Sequence, residues 1–325
     1  MPDLPTLTQR IDDYFLTTWF EIRPEAIDNI LESTVIWAAL RNMGSWTSQV
    51  GGDFITRTIR FGTQQAKAVS KGDVFSQGEP ELETMARWEW KYLSAHVQRS
   101  VFDDQKNNGP AKIKSLVGQR LRAARESMEQ HYEEKLMRTA NLTEDAADKD
   151  IQGINDIVPP FGDRNTGTYG GISRSNAYWS PKYRELTAAP EVNLLSDMKV
   201  LYNDVFNNQA APNLILSARN LFELYEEFAL DISQIIKDEG TRLADLGFEV
   251  LRFKGKPMVW SPNVTESNLL MLNTEFIEIV YDPELWFSMT PWKTIPLQGE
   301  RIAHILSAVN LVSSQLRRHG RLYAS

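Results

Sequence analysis

Side chains able to hold a metal or move a proton are few in this chain. It has four histidines, His96, His131, His304 and His319, and no cysteine. Without Cys there is no thiolate nucleophile, no disulfide and no Cys-based zinc site. No two histidines have the sequence spacing of metal ligands, so each reads as a surface or satisfied core group. Carboxylates recur at Glu83 and Glu89, and at Glu223 and Glu227. A glycosidase needs two carboxyl groups at a set separation across one bond, whereas on strands and helices such pairs usually form solvated faces. Gly162, Gly167 and Gly170-Gly171 make a glycine-rich stretch. The Gly-Lys-Ser/Thr of a phosphate loop is missing and no apolar strand leads straight in, so a flexible connection is expected. Asn141-Leu142-Thr143 matches a glycosylation acceptor, but the start, Met1 to Thr8, lacks the basic flank and apolar core of a secretion signal. Arg317-Arg318-His319-Gly320-Arg321 is the most basic short cluster. It reads equally as a contact for nucleic acid or an acidic neighbour and as a solvated terminus.

The elements that would position these groups follow from periodicity. Pro24 opens a helix with Ile27, Ile30, Leu31, Val35 and Ala38 on one face, and Gly44 and Gly51-Gly52 break the chain. Ile55, Arg57, Ile59 and Phe61 alternate with Thr56, Thr58 and Arg60, a strand pattern. Gly62 to Gly78 is polar and carries Lys67 and Lys71. A second strand-like run over 83–102 puts Trp88, Trp90 and Tyr92 on one face. The two runs predict a hairpin too poor in apolar residues to fold on its own. Asn108-Gly109-Pro110 starts a helix. Its apolar residues, from Ile113 through Leu121 and Met128 to Leu136, recur at three- and four-residue steps. At 1.5 Å per residue it runs about 40 Å. Helices over 194–207, 220–230 and 232–246 and a buried strand over 212–216 suggest an α/β subdomain. Strands then dominate, with a hairpin turn at Lys254-Gly255-Lys256. The tail over 301–316 fits helix and strand equally.

A chain of 325 residues suits two or three subdomains. With a net charge of -8 it does not read as a general nucleic-acid binder, whose affinity comes from Lys and Arg on phosphates. No apolar run reaches the roughly 20 residues of a membrane span.

Several segments in this order resemble the tailed-phage major capsid proteins of the Hong Kong 97-type fold. They are Arg87-Trp88-Glu89-Trp90-Lys91-Tyr92, Lys106-Asn107-Asn108-Gly109 before the long helix, and Ile151-Gln152-Gly153-Ile154 after it. Tyr169-Gly170-Gly171-Ile172-Ser173-Arg174, the run from Gly247 to Gly255, and Met271-Leu272-Asn273-Thr274 complete the series. The resemblance implies an α+β fold of five segments. These are an N-terminal arm (1–50), an extended loop (51–85), a peripheral domain with a spine helix (86–149), an axial domain (150–246) and strands returning to the peripheral domain (247–325). It implies a non-enzymatic shell subunit without cofactor or metal, assembled in a host cytoplasm into the capsid of a virion. The expected partners are further copies in pentamers and hexamers, a separate scaffolding protein, a portal, decoration proteins and non-specifically held double-stranded DNA, with no membrane. Arg60, Lys67, Lys71, Trp88, Trp90 and Trp179 are the expected inter-subunit contacts. An encapsulin-like compartment and an unrecognised hydrolase are the alternatives. The covalent lysine–asparagine cross-link of the type member is not carried over: Lys67 and Lys71 lie in the right loop, but no partner for them is identified.

Overall fold

The computed structural model describes residues 35–62, 68, 70, 81–100, 110–145, 148–186, 190–206, 210–231, 251–296 and 299–324. The helix expected after Pro24 is described only from Val35 on, where it is helical; Lys67, Lys71, Gly78, the Asn108-Gly109 cap and the helix over 232–246 lie outside the described residues. A short helix α1 (Val35–Asn42) and strand β1 (Trp46–Ser48) precede a hairpin of β2 (Phe54–Arg60) and β3 (Glu83–Glu89). Next come β4 (Lys91–Ser100), the long helix α2 (Pro110–Leu136), the single turn α3 (Ile154–Ile157), β5 (Thr168–Tyr169), β6 (Ile172–Ser173) and β7 (Lys182–Glu185). Helix α4 (Pro190–Val205), β8 (Leu214–Ser217) and α5 (Arg219–Asp231) follow. The remaining strands are β9 (Leu251–Phe253), β10 (Lys256–Trp260), β11 (Asn268–Leu272), β12 (Ile277–Tyr281), β13 (Ser288–Met289), β14 (Lys293–Thr294), β15 (Glu300–Ser313) and β16 (Gly320–Tyr323).

The first sheet is organised around β15. That strand pairs antiparallel with β4 along one edge, from Glu300 opposite Ser100 to Val309 opposite Lys91. Its other edge takes β12, β13 and β14 in turn, and β1 adds in parallel to β12. Helix α2 lies against this sheet. Leu121, Ala124, Met128, Tyr132 and Leu136, spaced by three and four, are all buried, and this stripe holds the helix down. The Tyr132 hydroxyl meets Ser307 Oγ of β15. The tail that fitted helix and strand equally is therefore a strand.

The second sheet runs β7-β16-β11-β8-β10-β9. Strand β8 is buried along its whole length. Leu194, Met198 and Leu201 of α4 and Leu221 and Phe222 of α5 pack with Ile215, Met258, Leu269 and Met271 in one core. Between β9 and β10, Lys254 (φ 49°) and Gly255 (φ 76°) are both left-handed, as a two-residue hairpin turn of the right twist requires. Strands β12 to β15 join the sheet that carries α2, whereas β9, β10, β11 and β16 hydrogen-bond into the second sheet around β8.

The chain passes between the sheets twice here, from β11 to β12 and from β15 to β16. His319 ties the two crossings together. Its Nδ1 accepts from Asn273 N at 3.2 Å and its Nε2 faces Ser313 Oγ at 2.9 Å. The ring is fully buried, and burial pushes its pKa down to about 3. Arg321 is also buried; it donates to Asn155 Oδ1, Val158 O and Asn268 Oδ1 at 2.8–3.2 Å. Half of the basic C-terminal cluster is thus core, which corrects its reading as a solvated or nucleic-acid-binding patch. Among the described residues, no helix is long and apolar enough to cross a membrane.

Candidate assembly surfaces

The β2/β3 hairpin is the first candidate surface. Seven residue pairs hold it, from Phe54 opposite Glu89 to Arg60 opposite Glu83. Among the described residues it is a two-stranded sheet of its own. Strand alternation sorts its side chains into two sets. Ile55, Ile59, Ala86 and Trp88 are buried. Arg57, on the same side of β2, gives Nε and Nη2 to Glu278 Oε2 of β12 at 3.0 and 2.6 Å, which anchors the hairpin to the first sheet. The opposite face carries the charged residues Arg60, Glu83, Arg87 and Glu89 and leaves two large apolar side chains bare. Phe54 is 45% exposed and Met85 59% exposed. Two strands cannot bury an apolar face on both sides by themselves.

The expected contact residues separate at this point. Arg60 is exposed at the end of β2. Trp90 is half-buried, with Nε1 donating to Gly52 O at 2.8 Å. Trp88 and Trp179 are 2% and 0% exposed and belong to the subunit's own core. Trp88 stacks edge-on against Tyr169 at 5.5 Å, and Trp179 Nε1 donates to Tyr169 O at 2.8 Å. Neither ring has surface to offer a neighbour, which corrects their assignment as inter-subunit contacts. The reason is a change of sheet. The strand-like run breaks at Trp90, so Trp88 belongs to the hairpin while Tyr92 stands on the first sheet, 65% exposed. Phe54, Met85 and Tyr92 were not singled out as contact residues from sequence. The alternation of the hairpin strands does place Phe54 and Met85 opposite the buried isoleucines.

The hairpin rests on a polar knot built from the loops after α2. Arg138 donates Nε to Asp156 Oδ2 at 3.0 Å and Nη1 to Asp148 Oδ2 at 2.6 Å. Burial holds the Asp156 carboxyl above its usual range, although Arg138 and the Gly153 and Asn141 N–H groups all oppose this. Burial pushes Asp148 upward too, but its hydrogen bond to Arg138 and its other donors outweigh that and leave it below the usual carboxylate value. The glycine-rich stretch closes a tight turn between β5 and β6. Gly170 (φ 62°) lies so close to the Trp88 ring that an added Cβ would stand 2.8 Å from it. The Gly170 and Gly171 N–H groups and the Thr168 hydroxyl all point to the Glu144 carboxylate. The loop does bind an anion, and that anion is the chain's own Glu144.

Two carboxylate pairs considered for acid–base work are placed as follows. Glu83 and Glu89 stand at opposite ends of β3, about 20 Å apart at 3.3 Å per residue. That is too far to act on one glycosidic bond. Glu223 is held by Arg219 Nε at 2.7 Å on the exposed side of α5. Among the described residues, no three His, Asp or Glu side chains converge as a metal cage.

The chain matches no family model, and no curated protein sequence is similar to it. Solved structures are similar over most of its length. The capsid subunit of cyanophage A-1(L) aligns with a TM-score of 0.64 at 16% identity, covering 85% of this chain and 89% of that one. A native GTA particle capsid aligns at 0.54 and 13% identity, covering 89% and 90%. The SrpI encapsulin of Synechococcus elongatus aligns at 0.52 and 12% identity, covering 89% and 87%. The alignments cover 85–89% of the chain, and the chain therefore has the Hong Kong 97-type α+β fold shared by phage capsid and encapsulin shells.

Proposed function

We propose that this chain is the major capsid protein of a tailed phage and assembles into an icosahedral shell around double-stranded DNA. One observation carries the reading beyond the fold: the β2/β3 hairpin leaves Phe54 and Met85 bare on a face no described element covers. A second copy laid on that face completes its core. Many such contacts, each weak, sum to a stable closed shell.

In this reading residues 1–50 are the arm, 51–85 the extended loop, and 86–149 the peripheral domain with α2 as spine. The axial domain takes 150–246 together with β9, β10, β11 and β16, since these share one sheet. Arg60, Lys67, Lys71 and Trp90 remain proposed contacts, joined by Phe54 and Met85. The net charge of -8 suits DNA confined rather than tightly bound, because phosphate affinity scales with the cations that neutralise it. A scaffolding protein, a portal, decoration proteins, assembly in the host cytoplasm and a final place in the virion belong to the same proposal.

Negative-stain microscopy of the expressed chain together with its scaffold tests it. Closed icosahedral particles are expected. Only small discrete oligomers under all assembly conditions would overturn the reading and favour a hydrolase. The encapsulin alignment supports a second reading, a protein-filled compartment. Particle contents separate the two: double-stranded DNA for the capsid, an enzyme cargo for the compartment.

A further inference from the structure

The histidines that stand far apart in sequence do not all stand apart in the fold. The β4/β15 ladder places His96 directly opposite His304. Directly opposed residues of an antiparallel pair point to the same side of the sheet. That side is the one away from the buried Val97, Arg99, Ala303 and Ile305. His96 is exposed and His304 half-buried. The backbone fixes how close the two rings come. Thr290 N donates to His304 O at 2.8 Å, and His304 N donates to Thr290 Oγ1 at 2.9 Å. Both main-chain groups of His304 therefore point away from β4. Toward β4 the pair belongs to the non-hydrogen-bonded class, in which the Cα atoms approach to about 4.5 Å and the side chains lie closest. Among the described residues, no side-chain hydrogen bond or ion pair occupies either imidazole. By register, the charged groups along that face are Lys293, one step along the ladder, and Glu300, two steps along, of opposite sign.

Two unoccupied imidazoles held this close on neighbouring strands can both reach one metal ion at about 2.0–2.1 Å. We propose that His96 and His304 form a two-imidazole seat for a divalent transition cation of the nickel, copper and zinc class, the ions that imidazole suits. No third protein ligand converges there among the described residues, so water or another exchangeable group fills the remaining positions. A bound ion would clip β4 to β15 and raise the stability of the folded subunit, because it binds the native ladder and not the separated strands.

The test uses the full chain at pH 7.5, titrated with nickel chloride and then zinc chloride, read by calorimetry and by thermal midpoint. One ion per subunit and a rise in midpoint are expected. His96→Ala and His304→Ala should each weaken binding at least tenfold and remove the rise, while His131→Ala, which breaks the His131–Asp150 contact, leaves both unchanged. Far-UV circular dichroism confirms that the variants are folded; should either fail, His96→Gln or His304→Gln replaces it. No binding by the unmodified chain, binding retained in both variants, or loss only in His131→Ala would overturn the proposal.

Discussion

His319 is the residue on which acid stability turns. It is buried as a neutral ring between the two crossings, accepting from Asn273 N. Its folded pKa of about 3 lies below the ordinary 6.5. As pH falls below 6.5 the unfolded chain takes up this proton and the folded chain does not. Its share of the stability is therefore complete above about pH 6.5 and lost progressively on acidification toward 3. The slope is about 1.4 kcal/mol per pH unit. Urea unfolding at pH 7 and pH 5 should show a loss of about 2 kcal/mol that His319→Gln removes. An unchanged slope in the variant would place the titration elsewhere. From sequence this histidine could be read only as one of four isolated rings. Its role comes from residues 46 positions away and on another strand.

At the scale of elements, α2 was the most legible part of the sequence. Its apolar residues keep one stripe across 27 residues, and the structure buries that stripe from Leu121 to Leu136. Met128→Ala should cost about 2–5 kcal/mol, as large-to-small changes in packed cores do. Exposed Arg122→Ala should change stability by no more than about 0.5 kcal/mol; denaturant midpoints distinguish them. The β2/β3 hairpin was legible as two strands, but the end of β3 was not. Residues 83–102 keep one alternation while the strand changes partner at Trp90, and alternation carries no information about partners. Deleting Gly62 to Gly78 should leave the thermal midpoint of the subunit within a few degrees of the parent and abolish closed particles in electron micrographs. Normal particles from that deletion would show that the loop is not an interface.

At the scale of the molecule, the two sheets are joined by buried polar contacts rather than by a flexible linker. Asn273, Ser313, His319, Arg321 and Tyr169 interlock there. Gly51 and Gly52 lie beside the hairpin in left-handed conformations (φ 65° and 96°). If one subunit is to fit both pentamers and hexamers, the adjustment belongs at these glycines and not between the sheets. Native-state hydrogen exchange should find the Asn273 and Ser313 amides among the slowest in the chain and the Gly51–Gly52 amides among the fastest. Equal rates at the two places would remove this distinction.

The sequence by itself determined the long helix, the first strand of the hairpin and the Lys254-Gly255 turn, because each is written in local period or turn chemistry, while the α+β class came from the resemblance of its segments. Only the tertiary structure decided the tail. From Ser307 to Ser313 every residue of β15 is buried. Helix α2 covers one face, and Asn310 meets Gln152 N and Glu89 O on the other. A strand covered on both faces has no polar side to alternate with, so its period vanishes from the sequence. The same holds for Trp88, whose ring packs on the distant turn at Gly170, and for His96 and His304, which meet only through register. Pairing between strands is a long-range choice made by the whole chain, and no window of neighbouring residues records it.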